Sequence, residues 1–141
     1  MRKTLRTLAA CAVVVAAANF VLPAWTQDSK PTEAVGISVP QTSTLLLGDQ
    51  ILELKGYALQ IRTIVLQPGA HSYHHSHANR PVVAYLVSGD YTEHRDGEGV
   101  VTHAPGEQWV EGAEVAHWSE NRGEEPAYLI NVEVLRPKAK N

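Results

Sequence analysis

The sequence predicts an all-β domain, a sandwich or a barrel, and two observations carry that expectation. Short runs of β-forming residues recur along the chain, separated by Gly, Pro and Asp at intervals of about 8–12 residues. No stretch beyond the N-terminal segment sustains an apolar period of 3.6 residues, so little helix is expected. The chain has 141 residues, the size of one ordinary domain.

Residues 1–24 stand apart from that domain. Arg2, Lys3 and Arg6 precede an apolar run over residues 8–22, broken by Asn19, and Pro23-Ala24 then leads into the polar Gln27-Asp28-Ser29-Lys30. A basic start, a short apolar run and a small residue at the exit describe a secretory signal peptide, with cleavage expected after Ala24. The run is about 15 residues, against the roughly 20 that a membrane-spanning helix needs. An uncleaved anchoring helix is the alternative. Cys11 lies inside the apolar run, so the mature chain has no cysteine, and neither a disulfide nor a thiol nucleophile is expected.

Cleavage removes three of the twelve basic residues and none of the fifteen acidic ones, which takes the formal net charge from −3 to −6. An acidic domain of this kind argues against a nucleic-acid partner. Residues 25–40 are mostly polar and hold Pro31, Gly36 and Pro40, so they read as a flexible leader. The domain is expected over 41–136. Strands are read at residues 44–47 (TLLL), 51–54 (ILEL), 58–66 (ALQIRTIVL), 82–87 (VVAYLV), 100–102 (VVT) and 127–135 (AYLINVEVL). Residues 137–141 are a basic, loose tail.

Residues 68–89, PGAHSYHHSHANRPVVAYLVSG, hold four of the seven histidines. His75 and His77 are separated by one residue, and alternate residues of a strand share a face. On a strand this pair presents two imidazoles to one point, and neutral imidazole is the commonest protein ligand for transition metals. A third ligand is expected from His117, in residues 106–121, GEQWVEGAEVAHWSEN. Taken singly, a strand histidine is more often a surface or satisfied core residue, and His71, His74, His94 and His103 are read that way.

With both stretches in view, residues 41–136 resemble the cupin type-2 family of conserved β-barrels, as an exported bacterial single-domain member. Gly69 is followed by five residues, His75-Ser76-His77, four residues, Val82, six residues and Gly89. Gly106 is followed by five residues, Gly112-Ala113-Glu114, two residues, His117, three residues and Asn121. The resemblance implies a small jelly-roll, or double-stranded β-helix, barrel. It implies one divalent transition metal (iron, manganese, zinc, nickel or copper) held by His75, His77 and His117. The chain departs from the pattern at Val82, where the family usually has a glutamate that is the fourth, anionic ligand. Gly112 and Glu114 replace the proline and glycine of a turn. Without that glutamate a three-histidine site is expected, and Glu93 or Glu111 would replace it only if loops folded inward.

The resemblance implies a small-molecule metalloenzyme of dioxygenase type. The alternatives are a metal-dependent binding or sensing module and a metal-free structural barrel. Val82, Tyr73 and Asn121 are the candidate pocket residues. Three neutral imidazoles would leave a divalent charge uncompensated, so the ligand is expected to be a small anion or chelator. No membrane contact is expected after signal cleavage. The mature protein is expected in the periplasm or secreted, and a homodimer is the family-based expectation.

Overall fold

The longest strand, β2 (Ala58–His71), joins the two halves of the structure. The computed structural model describes residues 29–136. The other strands are β1 (Val35–Leu46), β3 (His75–Ser76), β4 (Val82–Ser88), β5 (Tyr91–Arg95), β6 (Gly99–His103), β7 (Gln108–Glu111), β8 (Ala116–Glu120) and β9 (Ala127–Leu135). They hydrogen-bond in the order β6-β5-β8-β2-β9-β4-β7, with β1 also on β2 and β3 also on β8. Over most of its length β2 lies between β1 and β9. At its last residue, His71, it pairs with Glu120 of β8. The sheet therefore curls into a half-barrel, consistent with jelly-roll closure.

Alternation decides which side chains enter the concave face. In β4, Val82, Ala84 and Leu86 are buried while Val83 and Tyr85 are exposed, and in β9 Ala127, Leu129, Asn131 and Glu133 are buried. Register stacks these residues in rows. Ile64, Leu129 and Leu86 form an apolar row; Arg62, Asn131, Ala84 and Trp109 form the next; Gln60, Glu133, Val82 and Glu111 form a third. Each fully buried leucine contributes about 1.5–3 kcal/mol, so Leu66, Leu86 and Leu129 anchor one end of the barrel. Polarity rises towards the other end, and that gradient places the site.

The half-barrel depends on tight turns. Gly89 has φ +90°, and a Cβ there would stand 2.5 Å from the Ala127 Cα, so only glycine fits without movement.

Two strand expectations change. Residues 51–54 are not a strand: Leu52–Leu54 forms one 3₁₀ turn. The β1–β2 pairing ends at Leu46↔Ala58, and Leu47 N–H to Tyr57 O closes the hairpin at 2.9 Å, leaving the apolar ILEL run no ladder to join. Conversely, β1 begins at Val35, inside the expected leader. Ile37 and Ser38 pair with Leu66 and Val65, and the register slips between Ser38 and Gln41, across Pro40, which has no N–H to give. The expected signal peptide with Cys11, the first residues of the leader, and the tail at 137–141 lie outside the described residues.

Candidate metal centre

His75 lies on β3 and His117 on β8, and the two are cross-strand partners. Directly opposed residues in an antiparallel pair project to one face. His77 follows just past the end of β3, which spans only His75–Ser76. Its ring completes a near-equilateral triangle: centroids are 5.0 Å apart for His75–His77, 4.7 Å for His75–His117 and 5.0 Å for His77–His117.

Tautomers are fixed from behind. His75 Nδ1–H donates to the Tyr73 carbonyl at 2.9 Å, and His77 Nδ1–H donates to the Arg80 carbonyl at 3.0 Å. Both Nε2 lone pairs are then turned to the centre. The Nε2 atoms of His77 and His117 stand 3.0 Å apart. Two imidazole nitrogens on one ion, each at about 2.1 Å from it, are themselves separated by about 3 Å. One nitrogen from each of the three rings lies within 4.8 Å of the others, a set able to hold a metal ion. Burial, opposed only in part by the Tyr73 bond, pushes His75 down to about 4, so its lone pair stays available through the physiological range.

The carboxylate absent from position 82 is present on the neighbouring strand. Glu111, on β7, is the cross-strand partner of Val82. It is 2% exposed, and its Oε2 lies 3.0 Å from His77 Nε2 and 4.0 Å from His117 Nε2. Burial alone would lower the His77 pKa, but the hydrogen bond and charge of Glu111 outweigh it and raise the value. A buried carboxylate facing two imidazole nitrogens is a place for a cation. The expected three-histidine site is therefore a three-histidine cluster with a carboxylate beside it, and Glu111 comes from a strand rather than an inward loop. Trp109 and Glu111 share a face of β7, and Trp109 lies on the same inner row as Ala84.

Glu93, also expected only on an inward loop, sits on β5 and is completely buried. One of its oxygens takes Arg95 Nε–H at 2.6 Å and lies 3.3 Å from His103 Nε2. The other takes Trp109 Nε1–H at 3.2 Å and lies 3.4 Å from His117 Nδ1. Trp109 Nε1–H also donates to Glu111 at 2.9 Å, tying the two carboxylates together. Burial disfavours the charge on Glu93, yet bonds to His103 and His117 prevail and hold its carboxyl far below the usual range. Glu93 thus orients His117 from behind, as an outer carboxylate does for a metal-bound histidine. Glu93→Gln is expected to weaken metal binding about 10–100-fold while saturating at the same stoichiometry; competitive titration against a chelating dye reads both.

Of the candidate pocket residues, Tyr73 lines a cavity of about 220 Å³ beside the three histidines and Glu111, its ring 5.2 Å from that of His75. Val82 and Asn121 do not line it. Val82 is buried between its cross-strand neighbours Glu111 and Glu133, an apolar spacer between two carboxylates. Asn121 is a backbone clamp. Its Nδ2 donates to Leu66 O at 3.0 Å and Glu125 O at 2.9 Å, and its Oδ1 accepts from Gly123 N–H at 2.9 Å. Asn121→Ala should cost about 1–3 kcal/mol, because it strands the buried Leu66 carbonyl. Chemical denaturation would read that loss, with metal stoichiometry unchanged.

The family model for the cupin domain matches residues 62–133. No curated protein matches the sequence. A solved structure from Thermus thermophilus is 28% identical, with a TM-score of 0.50 over 56% of this chain and 74% of its own. A predicted oxalate decarboxylase from Thermotoga maritima is 20% identical, with a TM-score of 0.53 over 75% of this chain and 93% of its own. The cupin domain of an XRE-family transcriptional regulator from Enterobacter cloacae is 20% identical, with a TM-score of 0.50 over 74% of this chain and all of its own. At 20% identity the likeness to the last two is one of fold.

Proposed function

The chain belongs to the cupin family, and on that premise we propose that it is an exported metal-dependent enzyme acting on a small molecule, of dioxygenase type. The observation that carries the reading is the convergence of His75, His77 and His117, with Glu111 beside them, on the wall of a cavity. These four side chains would hold one divalent transition metal. Such an ion supplies a Lewis acid and, where it is redox-active, an electron partner for dioxygen.

The chain's own residues do the rest. Glu111 would offset part of such an ion's charge, and Glu93 orients His117 from behind. Ile64, Leu66 and Leu129 form an apolar wall across the cavity, which limits the water that can compete with a ligand. Tyr73, about half exposed, stands where a ligand would enter. Oxygen uptake by the iron-loaded protein over a panel of small acids tests the reading. Uptake that disappears in His77→Ala supports it. Tight ligand binding without uptake for any acid would replace it with the alternative, a binding or sensing module. Export is part of the proposal, and intact mass of the secreted or periplasmic form should begin near Trp25; a form retaining residues 1–24 would contradict it.

A further inference from the structure

Besides the histidines, the cavity holds charge and hydrogen-bonding capacity that the metal centre does not use. Glu133 is almost completely buried and forms ion pairs with Arg62 Nε on one side and Arg80 Nε, at 3.1 Å, on the other. One carboxylate cannot neutralise two guanidiniums, so this trio keeps a net positive charge. Each guanidinium has five N–H donors, and the contact to Glu133 engages only the Nε of each. Both arginines line the cavity.

Asn131, the cross-strand partner of Arg62, lines it too. The side chain is nine-tenths buried, and its Oδ1 accepts no hydrogen bond. A buried acceptor left in that state costs about 1–3 kcal/mol. Arg62 Nε and Glu133 Oε2 are engaged in the ion pairs above, whereas Asn131 Oδ1, among the described residues, has neither a hydrogen bond nor an ion pair. A patch built to be finished by a ligand has this character.

Size narrows the class. At about 30 Å³ per water in the liquid, 220 Å³ equals roughly seven waters. That is below the 300–1,000 Å³ typical of drug-sized ligands. A molecule of about seven to ten non-hydrogen atoms or fewer fits within that volume.

We propose that the cavity binds a small hydroxycarboxylate, its carboxylate held by Arg62 and Arg80 and its hydroxyl donating to Asn131 Oδ1. This deepens the function proposed above and rests on the same cavity, but not on the metal.

Titration of the metal-free protein, followed by NMR, separates the two. The probes are lactate, propionate, which lacks the hydroxyl, and lactamide, which lacks the charge. Lactate should bind several-fold more tightly than propionate, the value of one neutral hydrogen bond, and at least about tenfold more tightly than lactamide. Arg80→Gln should weaken both acids about tenfold and leave their ratio unchanged. Asn131→Leu should erase the ratio and leave propionate binding in place. Equal binding of lactate and lactamide to the wild-type protein would overturn the proposal, even if neither variant folded. So would a lactate preference that survived Asn131→Leu. Because no metal is present, a failure here leaves the histidine site standing. Correct discrimination here, with no metal bound on loading, would instead leave the anion site and remove the enzyme reading.

Discussion

Saturated with a divalent transition metal and then desalted, the wild-type protein is expected to retain about one ion per chain, and His77→Ala and His117→Ala almost none. Both rings are buried, their Nε2 atoms are 3.0 Å apart, and each also faces Glu111. Removing either ring leaves two nitrogens and a carboxylate at a site shaped for more. Replacing an outer partner of a metal ligand already costs about 10–100-fold in affinity, so loss of a ligand itself should exceed about 100-fold. His75→Ala should fall in the same class, though His75 is only half-buried and water could occupy part of its place. His94→Ala is the control. That ring stacks on Trp118 at 3.7 Å and bonds Glu120, away from the cluster, and its loss should leave metal content unchanged. His103→Ala should be intermediate, since His103 helps hold Glu93. Elemental analysis of the five variants decides the assignment; unchanged metal in all of them would refute it.

The second large effect concerns the position of the carboxylate. Glu111→Val is expected to lower metal affinity by about 100-fold or more, for it removes the only anionic group within 3.0 Å of a cluster nitrogen among the described residues. Val82→Glu alone should not strengthen the site. It would add a third buried carboxylate between Glu111 and Glu133, neither of which is more than 2% exposed, and such an unpaired charge costs about 3–5 kcal/mol. The double variant behaves differently. Side chains at 82 and 111 are directly opposed on one face, with Cβ atoms about 4.5–5.5 Å apart. Moving the carboxylate to position 82 while vacating 111 should restore affinity to within about tenfold of wild type. Trp109 Nε1–H keeps Glu93 as an acceptor in that variant. Calorimetric titration of the four proteins with one metal is the check, and a double variant no better than Glu111→Val would mean that the two positions do not serve the same ion.

The three histidines were legible because two separate kinds of signal agreed on them. A one-residue separation gives a shared direction on a strand, and the spacing of Gly69, Gly89 and Gly106 around the two motifs sets the register. The carboxylate was not legible for a physical reason. Glu111 reaches the site through a pairing of β7 with β4, a contact between residues far apart in the chain, and no local pattern encodes that pairing. The polar strands β5 (YTEHR) and β8 (AHWSE) carry no apolar alternation, because their inward residues are Glu93, His117 and similar groups, not the apolar side chains that mark a strand. The ILEL run failed in the opposite way. Its composition is that of a strand, but the hairpin it closes leaves it nothing to pair with. Asn121, expected in the pocket, bonds backbone: the loop after β8 turns it to the Leu66 and Glu125 carbonyls.

Among the described residues, two overlapping groups could take an ion: His75, His77 and His117, or Glu93, Glu111 and His117. They share His117, so loss of metal in His117→Ala does not separate them. Anomalous diffraction at the metal edge, from crystals of the metal-loaded protein, does. The predicted result is a single peak within bonding distance of the Nε2 atoms of His75, His77 and His117, with a Glu111 oxygen beside it. A peak on the Nδ1 side of His117, between Glu93 and Glu111 and remote from His75 and His77, would contradict the account.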